Sequence, residues 1–161
     1  ESEPGYGATF FIELPILALA EPVVVDVVEE TAVSPDAKHV HDKRILVVDD
    51  EAGVLTIMMR VLQRRGFIVD GVESGAAALE QLQQQRYDLV ISDLRMPEMS
   101  GQALYRQTIE KYPEYNGRFV FTTGDAINPD LRAFLEEDNT PALEKPFEME
   151  DLIDIAMQMV A

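Results

Sequence analysis

Asp49 and Asp50 stand side by side at the end of the apolar run "RILVV", and Glu51 follows them. A third aspartate, Asp93, closes "YDLVISD"; Thr122 and Thr123 close "RFVFTT"; Lys145 follows "ALE" and precedes Pro146. Each has an ordinary explanation when taken alone. Asp50 would serve as a helix cap, Asp93 as a turn residue, Thr123 as a strand residue, and Lys145 as a solvated surface charge. Together they suggest a chemistry. Carboxylates gathered in one cleft raise each other's pKa unless a cation joins them. A hard divalent ion with oxygen ligands is the natural choice, and Mg²⁺ suits a site that keeps waters and receives a phosphoryl group. Lys145 would pair with a carboxylate or phosphate oxygen as a point charge. Thr123 would donate a hydrogen bond to a phosphate oxygen. Aspartate is also a nucleophile able to form an aspartyl-phosphate, with cations neutralising charge on the transferred group.

That chemistry requires the residues to meet, and the elements around them supply the means. "RILVV" reads as a strand buried on both faces. Val54, Leu55, Met58, Val61 and Leu62 then recur at helical spacing, and Gly66 ends the helix. The alternation continues. "FIVDGV" is followed by "SGAAALEQLQQQ", which Ser74 would cap, and "YDLVISD" by "SGQALYRQTIEKY", which Pro113 closes. "RFVFTTG" leads to "NPDLRAFLEED", with Pro129 in the first turn, and "ALEKPF" to "MEDLIDIAMQMV". Strict β–α alternation with short connections predicts an α/β fold, a parallel sheet with helices on both faces. Such sheets place their sites beyond the carboxyl ends of the strands. The acids, the threonines and Lys145 all fall there.

Composition narrows the function. The chain has 161 residues and a formal net charge of −17, from 30 acids against 13 bases. That balance argues against direct binding to nucleic acid, whose phosphates require Lys and Arg, and against an anionic membrane surface. There is no cysteine, so thiol catalysis and Cys-ligated zinc are excluded; the composition fits a cytoplasmic setting. The two histidines, His39 and His41, lie in a polar stretch and do not suggest a metal site. The apolar stretch "FFIELPILALA" is broken by Glu13 and Pro15 and is too short to span a membrane. Three regions follow: a Gly-rich start with a strand-like run over 1–19, an acidic linker with Pro22 and Pro35 over 20–42, and the α/β unit over 43–161.

The motifs "ILVVDDE", "DLVISDLRMPEMSG", "FVFTTGD" and "LEKPF", in this order, resemble a response-regulator receiver domain of two-component signalling. The resemblance implies a (βα)₅ flavodoxin-like doubly wound sheet with strand order 2-1-3-4-5. It implies that Asp93 accepts a phosphoryl group from a phosphohistidine. Mg²⁺ would be held by Asp49, Asp50, Asp93 and the main-chain carbonyl of Arg95. Thr123 would be the switch hydroxyl, Lys145 the phosphate-contacting lysine, and the Lys145–Pro146 bond cis. Arg95 and Asp125 occupy positions at which the family tunes dephosphorylation. One departure stands out: the family often carries an aromatic residue three positions before the lysine, and here it is Ala142.

The start, "GYGATFFIELP", resembles the end of a histidine-kinase ATP-binding domain, although Gly5 and Gly7 alone would not bind ATP. The chain is therefore expected to belong to a hybrid sensor histidine kinase, whose parent is a phosphotransferase. Its expected partners are the kinase's phosphohistidine (dimerisation) domain or a histidine phosphotransfer protein. The alternative is a pseudo-receiver, an interaction module that does not turn over phosphate. A flavin- or nucleotide-binding protein of similar fold fits poorly, because "VDDEAG" presents three acids where an anion would have to sit. An aspartate-nucleophile phosphatase also fits poorly, because it would carry an acid where Arg95 stands.

Overall fold

The structure is a computed structural model and describes residues 2–3, 7–8, 42–124, 129–137 and 139–161. The chain divides into two units, Glu1–Ala32 and Val33–Ala161. In the first, Ser2–Glu3 pairs antiparallel with Gly7–Ala8. The expected strand "FFIELPI" and the linker over 20–41 lie outside the described residues.

The second unit alternates as the sequence predicts. β1 (Arg44–Val48) leads to α1 (Ala52–Arg64), β2 (Ile68–Val72) to α2 (Gly75–Gln84), and β3 (Leu89–Asp93) to α3 (Gly101–Lys111). A single 3₁₀ turn at Pro113–Tyr115 precedes β4 (Phe119–Thr123). After it come α4 (Pro129–Glu137), β5 (Ala142–Glu144) and α5 (Met149–Val160). All strands run parallel, in the spatial order β2-β1-β3-β4-β5. This is the doubly wound (βα)₅ flavodoxin-like sheet, with strand order 2-1-3-4-5.

Two apolar layers clamp the sheet. On one face Ile45, Val47, Leu89, Ile91 and Val120 meet α1 and α5 through Leu55, Met58, Leu152 and Ala156. On the other, Leu46, Val48, Val90, Phe119 and Phe121 meet α2, α3 and α4 through Ala78, Leu104, Tyr105 and Phe134. β1, β3 and β4 are thus apolar on both sides, which explains their continuous hydrophobic runs. Burying each such side chain contributes about 1.5–3 kcal/mol before chain entropy is counted. Tyr105 anchors the second layer with edge-on contacts to Phe119 at 5.1 Å and Phe134 at 5.8 Å.

The local signals hold with two adjustments. Ser74 and Ser100 each accept an N–H from the first turn of their helix, from Ala77 and Ala103 respectively, at 3.2 Å. Gly66 ends α1 in the left-handed region at φ 100°, where glycine carries no Cβ penalty. The helix after the acidic pair has Glu51, not Asp50, at its N-cap position, and no side chain caps it. Asp50 is therefore not the cap that its position in the sequence suggests. β5 stops at Glu144 rather than running through "KPF", since Pro146 has no N–H to offer a ladder.

Candidate functional site

The carboxyl ends of β1 and β3 bring Asp49, Asp50 and Asp93 together. One carboxylate oxygen from each lies within 4.8 Å of the other two. Asp49 is 1% exposed and Asp93 is 7% exposed, whereas Asp50 faces solvent. Buried carboxylates need partners, and each has them. Asp49 Oδ1 accepts the Glu51 N–H at 2.9 Å. Its other oxygen takes the Lys145 ammonium at 2.9 Å, and the same ammonium lies 3.3 Å from Asp93 Oδ2. Asp93 also accepts the backbone N–H of Arg95.

Lys145 arrives just past β5. Its N–H donates to the Thr123 carbonyl at 2.7 Å, which fixes its backbone to β4. The Lys145–Pro146 peptide is cis, as expected. Thr123 is buried at the end of β4. The Arg95 side chain is exposed. Ala142 is exposed at the start of β5 and borders a cavity of about 580 Å³ between α4 and α5, where the family resemblance would put an aromatic ring. Asp125 lies outside the described residues.

The loop from Asp93 to α3 is shaped by tight contacts. Gly101 comes so near the Asp93 carbonyl that a Cβ there would meet its oxygen at 2.3 Å. Its N–H donates to Leu94 O at 3.1 Å. Glu98 holds φ at 63°, with Met99 N–H reaching back to Pro97 O at 2.6 Å, a tight γ-turn of a strained kind. Such strain collects at functional loops. The constraint that Gly101 places on Asp93 is not visible in the motif, whose only trace of it is a glycine eight residues after the acid.

Electrostatics follow from this crowding. Burial pushes the Asp93 carboxyl above the ordinary aspartate range; Lys145 opposes the shift, Asp49 adds to it, and the Arg95 N–H lowers it. Burial alone would lower the Lys145 ammonium, but the hydrogen bond to Asp49 and the charges of Asp93 and Asp49 outweigh it, so its pKa lies above the ordinary value. One cation thus serves a cluster of three acids, and negative charge remains in excess. The donor set is all oxygen and converges on a point, which fits a hard divalent ion such as Mg²⁺.

With this fold and this rim, the chain belongs to the response regulator receiver domain family, whose model matches residues 45–157. It is a receiver domain of two-component signalling, and its relatives include hybrid sensor kinases. It is 33% identical over 121 residues to the response regulator receiver protein CpdR of Brucella abortus (strain 2308), covering 73% of this chain and 97% of that protein. It is 32% identical to the sensor kinase CckA of the same organism, across 99% of this chain but only 17% of the kinase. Among solved structures it is similar to the chemotaxis protein CheY4 of Vibrio cholerae, with a TM-score of 0.67, 25% identity, and coverage of 73% and 98% of the two chains. The signal receiver domain of an HD domain-containing protein from Pseudomonas fluorescens Pf-5 gives a TM-score of 0.67 at 26% identity, covering 74% of this chain and 94% of that one. Among the described residues, no helix is long and apolar enough to cross a membrane.

Proposed function

We propose that the domain accepts a phosphoryl group from a phosphohistidine onto a carboxylate oxygen of Asp93. The N–P bond of the donor breaks, an O–P bond to Asp93 forms, and the imidazole nitrogen leaves. The observation that carries this reading is the meeting of Asp49, Asp50 and Asp93 within 4.8 Å, with the Lys145 ammonium bonded to two of them.

Each residue has a part. Asp49, Asp50, Asp93 and the Arg95 carbonyl would hold Mg²⁺, which neutralises charge on the phosphoryl oxygens when bound. Asp93 is the nucleophile, held in place by the Arg95 N–H and by its salt bridge to Lys145. Lys145 brings a second positive charge to the same oxygens. Thr123 supplies the hydroxyl that contacts the phosphoryl group.

On this reading residues 1–19 are the end of a kinase ATP-binding domain, 20–42 a linker and 43–161 the receiver. Similarity to the sensor kinase CckA along 99% of the chain supports this division. The donor is then the phosphohistidine domain of a sensor kinase or a histidine phosphotransfer protein, in the cytoplasm. The net charge of −17 counts against a nucleic-acid partner. The test is incubation with a small acyl phosphate and Mg²⁺, read by intact mass. A single phosphate adduct is expected, absent in Asp93→Asn and in the chelated sample. A domain that never gains the adduct is a pseudo-receiver, and the proposal fails.

A further inference from the structure

Among the described residues, one buried side-chain oxygen has no hydrogen-bond partner: the hydroxyl of Thr122, whose residue is 1% exposed. Thr122 pairs in register with Asp93 across β4 and β3, two residues beyond the pair Ile91 and Val120. Ile91 and Val120 both face the α1–α5 layer. Strand alternation therefore turns Thr122 and Asp93 to that same side. The backbone carbonyls here are already used, Thr122 O by Leu94 N–H and Thr123 O by Lys145 N–H. Only the hydroxyl is left over, and a buried hydroxyl without a partner is unfavourable.

The path of Lys145 gives this hydroxyl a use. β4 lies between β5, which delivers Lys145, and β3, which delivers Asp93. To reach Asp93 at 3.3 Å and Asp49 at 2.9 Å, the Lys145 side chain must cross the end of β4 on the side that Asp93 and Thr122 share. An ammonium has three donors, and here two of its acceptors are the carboxylates that a metal ion and a phosphoryl group would engage.

We propose that Thr122 is a positioning residue of the phosphoacceptor site: in the reacting domain its hydroxyl accepts a hydrogen bond from the Lys145 ammonium and holds that charge against the phosphoryl oxygens. The inference rests on the phosphoacceptor reading above. It separates Thr122 from the neighbouring Thr123, whose proposed contact is with the phosphoryl group itself.

The experiment is a double-mutant cycle on the rate of phosphorylation by a small acyl phosphate at saturating Mg²⁺, with thermal stability and Mg²⁺ affinity measured alongside. Thr122→Val keeps the shape and removes the hydroxyl. It should slow phosphorylation by about tenfold, the loss of one transition-state hydrogen bond. Mg²⁺ affinity should be unchanged, and metal-free stability equal to wild type or higher. Thr122→Ser should restore the rate. In a Lys145→Ala background, Thr122→Val should have no further effect. A wild-type rate in Thr122→Val, or an equal slowing with and without Lys145, overturns the inference while leaving Asp93 as acceptor. A wild-type domain that gains no phosphate overturns the phosphoacceptor reading, and this inference with it.

Discussion

Lys145 and Asp49 lie at opposite ends of the domain sequence, yet Lys145 Nζ stands 2.9 Å from Asp49 Oδ2, and Asp49 is 1% exposed. The contact spans the outer strand β5 and the inner strand β1, across β4 and β3. It ties the rim together and supplies the only positive charge that the described ion pairs bring to Asp49 and Asp93.

Removing that charge should be costly. Lys145→Met leaves Asp49 and Asp93 facing each other without a cation. Breaking a fully buried pair from one side costs about 3–5 kcal/mol; Lys145 is 22% exposed, so solvent screening reduces the expected cost to about 2–3 kcal/mol. Urea unfolding with and without Mg²⁺ measures it. Millimolar Mg²⁺ should recover part of the loss, because an ion at the three carboxylates replaces the missing charge.

Asp93 makes the metal-free domain sensitive to pH. Its folded pKa lies above the ordinary value, chiefly through burial. The fold therefore favours the protonated form. The resulting stability is fully present below the unfolded pKa and is lost as pH rises through the folded one. Asp93→Asn, which cannot ionise, should be more stable than wild type at neutral pH without metal and should lack that decline. Mg²⁺ requires the ionised form, so its affinity should fall on acidification at a higher pH than for an ordinary aspartate. Unfolding curves and Mg²⁺ titrations over the acid range report both effects.

Asp50 separates metal binding from folding. Its side chain is exposed, so Asp50→Asn should leave the unfolding free energy within about 0.5 kcal/mol of wild type. Mg²⁺ affinity should drop on the order of tenfold or more, because oxygen-ligand sites follow ligand charge. Calorimetric titration gives the affinity, and a variant that binds Mg²⁺ as wild type does would remove Asp50 from the ligand set.

Gly101→Ala tests the shaping of the loop. The new Cβ would meet Asp93 O at 2.3 Å and the Leu94 Cα at 3.1 Å, and both are backbone atoms that cannot swing aside. Overpacking of this kind costs about 1–3 kcal/mol. The displaced Asp93 should also be phosphorylated more slowly, a loss that stability measured alone would not show.

Much of this was legible in the sequence because the two-sided burial of β1, β3 and β4 writes itself as unbroken apolar runs, "ILVV", "LVI" and "FVF". Parallel connectivity then forces the polar ends of those strands onto one rim, so the grouping of Asp49, Asp93 and Lys145 follows from strand order alone. What was hidden depends on side-chain packing rather than periodicity. Nothing in "TT" distinguishes Thr122, buried without a partner, from Thr123. Nothing around Gly101 announces the Asp93 carbonyl against which it lies. The role of Asp50 at the start of α1 was also misleading, since aspartate caps helices well and only the backbone shows that Glu51 occupies the cap position.

The most direct measurement is the location of the phosphoryl group. Phosphorylate the domain with a small acyl phosphate and Mg²⁺, reduce it with borohydride, which cleaves an acyl phosphate and converts the modified aspartate to homoserine, and map the peptides by mass. Conversion is expected at Asp93 alone, in the peptide containing "DLVISDLR". Conversion at Asp49 or Asp50 instead, or phosphate that survives borohydride on a hydroxyl, would contradict it.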